Sequence, residues 1–265
     1  MGTLGLGPVG VALSVSGSYL AEAAEAERLG YSAIWLPGGQ LDDLARLGNL
    51  VQATTAARVG SSIISPDVYP AGAVSALYRR LEASAPGRFI PGLGGAQQPR
   101  SLAALHAYLD QLDQAGPPAG RRLLAALGPR KLELARDRCA GAIVLLVTLD
   151  YLAGARRILG AQATLVVDQM LVLDTDPGRA RETARRPLRF LAGLPGYQAS
   201  FTRMGLDVAE TDRLADELIF SGDPGTISAR IGQLHEAGAD HVILHVLHEG
   251  GQPGPIEAAR ALAGR

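Results

Sequence analysis

Short runs nearly unbroken in Val, Ile and Leu alternate along the chain with stretches whose apolar residues return at helical spacing. Runs of the first kind are what strands covered on both faces look like, since neither face needs polar residues. Their alternation with amphipathic segments predicts βαβ units around a parallel sheet rather than a sandwich or a helical bundle. Eight strands are predicted, over residues 9–15, 33–36, 59–65, 88–94, 123–127, 142–147, 164–173 and 241–246. Ser18 is placed to cap a helix over 19–29 that Gly30 stops, and a helix over 150–159 is closed by Gly160. Leu102, Leu105, Leu109 and Leu112 mark a helix over 101–113.

Gly116-Pro117-Pro118 breaks the chain, but the same rhythm resumes beyond it, so the break is a loop within one domain spanning residues 1–265. After the seventh strand the chain runs through helices over 179–191 and 212–219, with a Pro195-Gly196 turn between them. A further helix over 225–237 leads into the last strand. That length predicts an extra helical segment, packed outside the barrel, between the seventh and eighth strands. Eight such units predict a (β/α)8 TIM barrel, whose working site lies at the mouth formed by the C-terminal strand ends.

A chain of 265 residues, 47% hydrophobic, is long enough to bury the core of such a barrel. Its 25 basic and 26 acidic residues give a net charge of -1 with no long run of either sign, so no footprint for nucleic acid or an anionic membrane is present. A small molecule is the expected partner. Cys139 is the only cysteine, which excludes an internal disulfide or a thiolate metal cluster and fits a reducing cytoplasm; it reads as a buried small hydrophobe. The apolar stretch 9–15 precedes Ala-rich sequence as a signal peptide would, but no Lys or Arg comes before Arg28, so it is read as a strand. No segment reaches the ~20 apolar residues of a membrane-spanning helix. Lys131 is the sole lysine among many arginines, a bias of composition without a mechanistic signal of its own.

The order Gly30-Tyr31-Ser32-Ala33-Ile34-Trp35, then Ala53-Thr54-Thr55-Ala56-Ala57-Arg58-Val59-Gly60, resembles the luciferase-like monooxygenase superfamily. The blocks starting at Gly87-Arg88-Phe89, Leu124-Ala125-Ala126 and Gly238-Ala239-Asp240 resemble an actinobacterial group of deazaflavin-dependent oxidoreductases within it. The similarity spans almost the whole chain. It implies a luciferase-like barrel, a flavoprotein or its deazaflavin counterpart, that binds coenzyme F420 or reduced FMN and transfers hydride or electrons at the ring. It also implies a homodimer. In this family the ring lies at the mouth against the third strand, where a bulge often holds a non-prolyl cis peptide; the matching stretch is Ser62-Ile63-Ile64-Ser65. The phosphate lies near the loop after the sixth strand, where the backbone N–H groups of a helix start favour an anion. Val147-Thr148-Leu149 is the corresponding place, and Thr148 serves equally well as a plain N-cap.

The sequence departs from the group at telling places. After the fourth strand Gly94-Gly95-Ala96-Gln97-Gln98 replaces a longer segment with a Ser-His pair. The sixth strand is purely aliphatic where relatives carry His-Pro-Tyr, and Leu149-Asp150-Tyr151 stands for Pro-Glu-His. Asp150 favours the helix start but repels a phosphate. These changes support a second class of reading, a barrel without cofactor that acts as a binding or structural protein or as a cofactor-independent enzyme.

Acid–base candidates are few. His106 and His235 fall on helices expected to face solvent, and His241 begins the last strand at the bottom of the barrel, where residues serve stability. His245 and His248 come at or beyond the C-terminal end of that strand, where a histidine can carry a proton near neutral pH; the bland alternative is a hydrogen-bonded core histidine and a loop histidine. Gly92-Leu93-Gly94-Gly95 has neither dinucleotide nor P-loop spacing and reads as close backbone approach at a strand end, as does Gly38-Gly39. Asp42 and Asp43 read as first-turn helix residues, and no His-Glu-x-x-His metal spacing occurs. The leading expectation is an F420-dependent oxidoreductase of a small organic substrate. Its ring contacts would be Gly38, Ile63, Ile64, Ser65, Gly94 and Gly95, its phosphate contacts Val147 and Thr148, and its proton donor His245 with His248 nearby. An FMN-dependent monooxygenase is the nearest alternative.

Overall fold

The computed structural model describes residues 4–95 and 101–264. Its strands are β1 (Val9–Ala12), β2 (Ala33–Pro37), β3 (Arg58–Ser62), β4 (Phe89–Ile90), β5 (Gly92–Leu93), β6 (Leu123–Ala125), β7 (Gly141–Leu145), β8 (Thr164–Val172), β9 (Phe220–Ser221) and β10 (His241–Val246). The helices are α1 (Tyr19–Arg28), α2 (Ala45–Ala53), α3 (Ala71–Ser84), α4 (Ser101–Ala115), α5 (Pro129–Arg138), α6 (Leu149–Leu159), α7 (Pro177–Ala192), α8 (Pro195–Arg203), α9 (Thr211–Leu218), α10 (Pro224–Glu236) and α11 (Pro255–Leu262). The strands pair in parallel in the order β4-β3-β2-β1-β10-β8-β7-β6-β5.

β4 and β5 are two halves of one stave. Pro91 between them has no N–H to give to a ladder, so the strand predicted over 88–94 is split there. Its first half pairs with β3 (Val59 beside Phe89) and its second with β6 (Leu93 beside Leu124). A bridge between Ile64 and Leu93 closes the seam on the β3 side. Eight staves thus form the barrel, and β9 is an addition, paired with the far end of β8 at Leu171 and Val172.

The period of two along each strand sorts its residues. Ala12, Trp35, Ile143, Val166 and Ile243 fill the barrel interior, and Leu4 and Leu6 cover its N-terminal end. Residues of opposite parity, such as Val11, Leu36, Val144 and Leu244, pack outward against the helices in the main core. Trp35 Nε1 donates to His241 Nε2 at 3.0 Å, so His241 carries its proton on Nδ1, which faces the Gly7 carbonyl at 2.7 Å. Burial pushes this imidazole down to about 4. His241 is therefore a neutral pin of the barrel bottom, as its place in the sequence suggested. Cys139 is buried, and burial pushes its thiol up to about 11.

Several sequence expectations change in detail. Ser18 occupies the N-cap of α1, but its hydroxyl donates to Glu22 Oε1 at 2.6 Å rather than accepting from the helix backbone. The Pro195-Gly196 turn is instead the start of α8, with Pro195 at N1, where its missing N–H leaves nothing unsatisfied. Asp42 and Asp43 lie just before α2: Asp42 pairs with Arg46, and Asp43 accepts from the Ala45 N–H at 2.8 Å. His235 is half-buried rather than solvated, with Nδ1 at 2.9 Å from the Ala239 carbonyl, whereas His106 is exposed. The comparison made at Ala96, Gln97 and Gln98 lies outside the described residues. Among the described residues no helix is long and apolar enough to cross a membrane.

Glu27 on α1 fastens the turn that leads into β3. Its carboxylate accepts from the N–H groups of Thr55 (2.8 Å), Ala56 (2.6 Å) and Ala57 (2.6 Å). Burial alone would raise its pKa; these bonds more than offset it and hold the carboxyl down at about 2, against 4.5 for an ordinary glutamate. A depressed carboxyl stabilises the fold above the unfolded-state value and loses that contribution as pH falls toward the folded one. Glu27→Gln is therefore expected to cost about 1–3 kcal/mol at pH 7. Urea unfolding should show the wild-type advantage shrinking between pH 5 and pH 2.

Candidate active site

A cavity of about 880 Å³ opens at the C-terminal strand ends. Of the residues singled out in the sequence, Gly38, Ile63, Ser65, Gly95, His245 and His248 line it. Ile64 is fully buried in the bridge to Leu93, and the Gly94 N–H donates to the Ile64 carbonyl, so these two support the wall from behind. Val147 is buried and Thr148 half-buried, and neither lines the cavity.

One wall is built from the ends of β2, β3 and β5. The Ser62–Ile63 peptide is cis, at the stretch where the resemblance placed such a bond. A Cβ on Gly38 would collide with the Ile63 carbonyl oxygen, so only glycine lets the two backbones approach. Gly95 has a φ of +103° and would bring a Cβ to 2.8 Å from Ser65 Oγ. Gly39 faces open space in the cavity. Ser62 Oγ is a buried hydroxyl in this wall that has no hydrogen-bond partner among the described residues. Gly38→Ala is expected to destabilise the fold by about 1–3 kcal/mol, whereas Gly39→Ala should stay within about 0.5 kcal/mol; urea unfolding of both variants checks the contrast.

Opposite this wall, β8 and β10 each turn a polar side chain inward. On β10 the inward parity runs His241, Ile243, His245; on β8 it runs Val166, Asp168, Met170. His245 Nδ1 lies 2.9 Å from Asp168 Oδ1, and Asp168 is only 2% exposed. Burial pulls the His245 pKa down, but the charge of Asp168 and the hydrogen bond to it outweigh burial and raise it above the ordinary histidine value. Asp168 escaped the sequence reading, although an Asp-Gln pair in the middle of a largely apolar strand was its visible signal. His248 is exposed at the rim.

The inserted helices do not simply pack outside the barrel. They rest on a satellite core shared with Leu146, Met170 and Val172, and they present Pro187, Leu191, Leu194 and Tyr197 to the cavity. Burial, and then the Asp168 carboxylate, push the Tyr197 phenol well above its ordinary pKa, so it stays a hydrogen-bond donor. Gln252 ties α7 to the loop after β10: its Oε1 accepts from Thr183 Oγ1 and from the Glu249 N–H, both at 2.9 Å, and its Nε2 donates to Asp174 at 3.0 Å.

The insertion also covers the place expected for a phosphate. The Thr148 N–H points to Met204 Sδ at 3.4 Å, and the Thr148 hydroxyl oxygen accepts from the Tyr151 N–H at 3.3 Å, as an N-cap. Lys131, from the first turn of α5, lines the cavity instead. Among the described residues no group of three or more His, Cys, Asp or Glu could hold a metal ion.

No protein-family model and no curated protein matches the sequence. Solved structures match along its length. An F420-dependent secondary alcohol dehydrogenase, in complex with an F420-acetone adduct, is similar with a TM-score of 0.73 at 14% identity, over 97% of this chain and 97% of that one. The coenzyme F420-dependent tetrahydromethanopterin reductase from Methanopyrus kandleri gives 0.71 at 16% identity, again over 97% of each chain. The oxygenating constituent of 3,6-diketocamphane monooxygenase from Pseudomonas putida, a type II Baeyer-Villiger monooxygenase in complex with FMN, gives 0.69 at 11% identity, over 97% of this chain and 98% of that one. At such identities the likeness is one of architecture, and by that likeness the chain has the fold of the luciferase-like monooxygenases.

Proposed function

We propose that the chain is an oxidoreductase that seats a deazaflavin of the F420 type, with FMN as the alternative, on the β2–β3–β5 wall and acts on a small organic substrate beside His245. The observation that carries this reading is the meeting, in one cavity, of a glycine-lined wall holding an unpartnered hydroxyl, Ser62 Oγ, with the buried Asp168–His245 pair. The wall suits a flat ring with a polar edge: Gly39 leaves open space in front of it, Gly38 and Gly95 let its backbone segments pack closely, and Ser62 offers the edge a hydroxyl. Solved structures of the same fold include F420-dependent enzymes and an FMN complex, which adds support. When bound, such a group supplies hydride or electron transfer.

The chain's own residues do the rest. Asp168 accepts from His245 Nδ1 and so fixes the tautomer and the ring plane, which leaves Nε2 as the nitrogen that exchanges a proton with the substrate. The raised pKa of His245 keeps a proton available near neutral pH. Tyr197 remains protonated and can hold a substrate oxygen. Leu191, Leu194 and Met170 give the cavity an apolar lining.

Gly39→Leu tests the seat. A side chain there meets open space, so stability should stay within about 1 kcal/mol while flavin affinity falls about tenfold or more. An unchanged affinity, read by flavin fluorescence, removes the ring from this wall.

A cofactor-free barrel is the second reading. It is favoured by one observation: the Thr148 N–H, which an anion would need, is turned to Met204 Sδ, next to an aliphatic β7.

A further inference from the structure

We infer that Lys131 is an oxyanion-binding group of the cavity, set to receive a carboxylate or phosphate carried by the ligand. Lys131 stands just beyond β6 and lines the same cavity as the glycine wall and the Asp168–His245 pair, sharing its side with Ala125, Leu127 and Leu145. It is half-buried, and none of the ion pairs or hydrogen bonds of the described residues uses its ammonium group. Among the described residues two carboxylates line the cavity, and neither pairs with Lys131: Asp168 faces His245 at 2.9 Å, and Glu249 is exposed at the rim, 3.9 Å from Arg186.

An ammonium group drawn partly out of water among apolar neighbours, with no counter-ion, is costly on its own and favourable once an anion joins it. Burial accordingly pulls the Lys131 pKa below the ordinary lysine value. The surrounding wall is mostly apolar, so the ligand fitting this arrangement is an apolar body carrying one anionic group, and a cationic ligand is disfavoured. The inference rests on the proposed function for which molecule carries the anion: the phosphate of the cofactor, or an acidic group of the substrate. The anion chemistry itself does not depend on that choice.

Because Lys131 is the only lysine, it can be watched directly. Reductive methylation with ¹³C-formaldehyde keeps its charge and labels Lys131 and the N-terminal amine alone, and Lys131→Met identifies which resonance is which. The labelled protein is titrated with FMN, with riboflavin, with hexanoate and with inorganic phosphate, and flavin fluorescence is read in parallel for the unlabelled wild type and Lys131→Met. If the cofactor supplies the anion, FMN moves the Lys131 resonance and raises its pKa, and Lys131→Met weakens FMN about tenfold or more while riboflavin is unaffected. If the substrate supplies it, both flavins bind the two proteins equally, and hexanoate or phosphate added to the FMN-loaded protein moves the resonance and binds Lys131→Met about tenfold less well or worse.

Flavin binding with no response of Lys131 to FMN, hexanoate or phosphate overturns the inference while leaving the proposed function in place. If neither flavin nor F420 binds, the proposed function fails; hexanoate or phosphate moving the resonance would then still uphold the anion site, and silence from both would overturn it as well.

Discussion

Replacing His245 by Asn is expected to lower turnover about 100-fold or more, since a positioned proton-transfer group typically contributes 10²–10⁴-fold. Asn can still donate to Asp168, so the buried carboxylate keeps a partner and the fold should survive; His245→Ala would leave Asp168 unpaired and confound activity with stability. His106→Ala, on the exposed side of α4, should leave turnover nearly intact. A loss of less than about threefold for His245→Asn would reject the role. The pH profile gives an independent reading. If His245 acts as a proton donor, activity falls as pH rises through its raised pKa. Asp168→Asn removes the charge that raises this pKa and leaves the burial that lowers it, so the same limb should move to lower pH. A limb that stays in place would mean that Asp168 does not set the titration of His245.

The second large effect concerns stability. Arg122, at the entry to β6, is 0% exposed, and its guanidinium donates to the carbonyls of Pro117 and Arg138 and to Asp113 Oδ1, the last at 2.7 Å. Arg122→Ala removes the donors to the Pro117 and Arg138 carbonyls and opens a cavity, so urea unfolding should show a loss of about 3–5 kcal/mol. Asp113 is itself partly exposed and also paired with Arg138 at 2.6 Å. Asp113→Asn, which keeps an oxygen for the arginines, should therefore cost less, about 1 kcal/mol. Equal losses from the two variants would show that the ion pair, rather than the buried carbonyl bonds, carries the effect.

Much of the fold was legible because strand identity in such a barrel rests on a local signal. The apolar runs at β2, β3, β7, β8 and β10 are bounded within two or three residues of where the structure places them, and β10 coincides with its predicted span. The misses share a cause. Pro91 sits in a run that is otherwise strand-like, so only the loss of a ladder bond reveals the break between β4 and β5. Pro195-Gly196 is turn-like by composition, yet proline at N1 opens α8 as readily as it makes a turn.

The site was legible in part. The glycines at 38 and 95 and the 62–65 stretch converge because each follows the end of a strand, and strand ends meet at the mouth. Asp168 was hidden because its role depends on which parity of β8 faces inward and on His245 standing across from it on β10. Lys131 was hidden because nothing local distinguishes a helix-start lysine that faces a cavity from one that faces water. For Thr148 the cap was legible, whereas the cover provided by Met204 comes from a helix more than fifty residues away and required the tertiary fold.

Whether the mouth seats a flavin or deazaflavin ring is decided by titrating the purified protein with F420 and with FMN while recording the ligand's visible absorbance and the melting temperature of the protein. A saturable spectral shift with one of the two, together with a rise in melting temperature that follows the same saturation, is the expected result, since a ligand that binds only the folded state stabilises it. No spectral change and no thermal shift with either ligand at about millimolar concentration, the weak end of the affinity scale, would contradict it and leave the cofactor-free barrel as the better account.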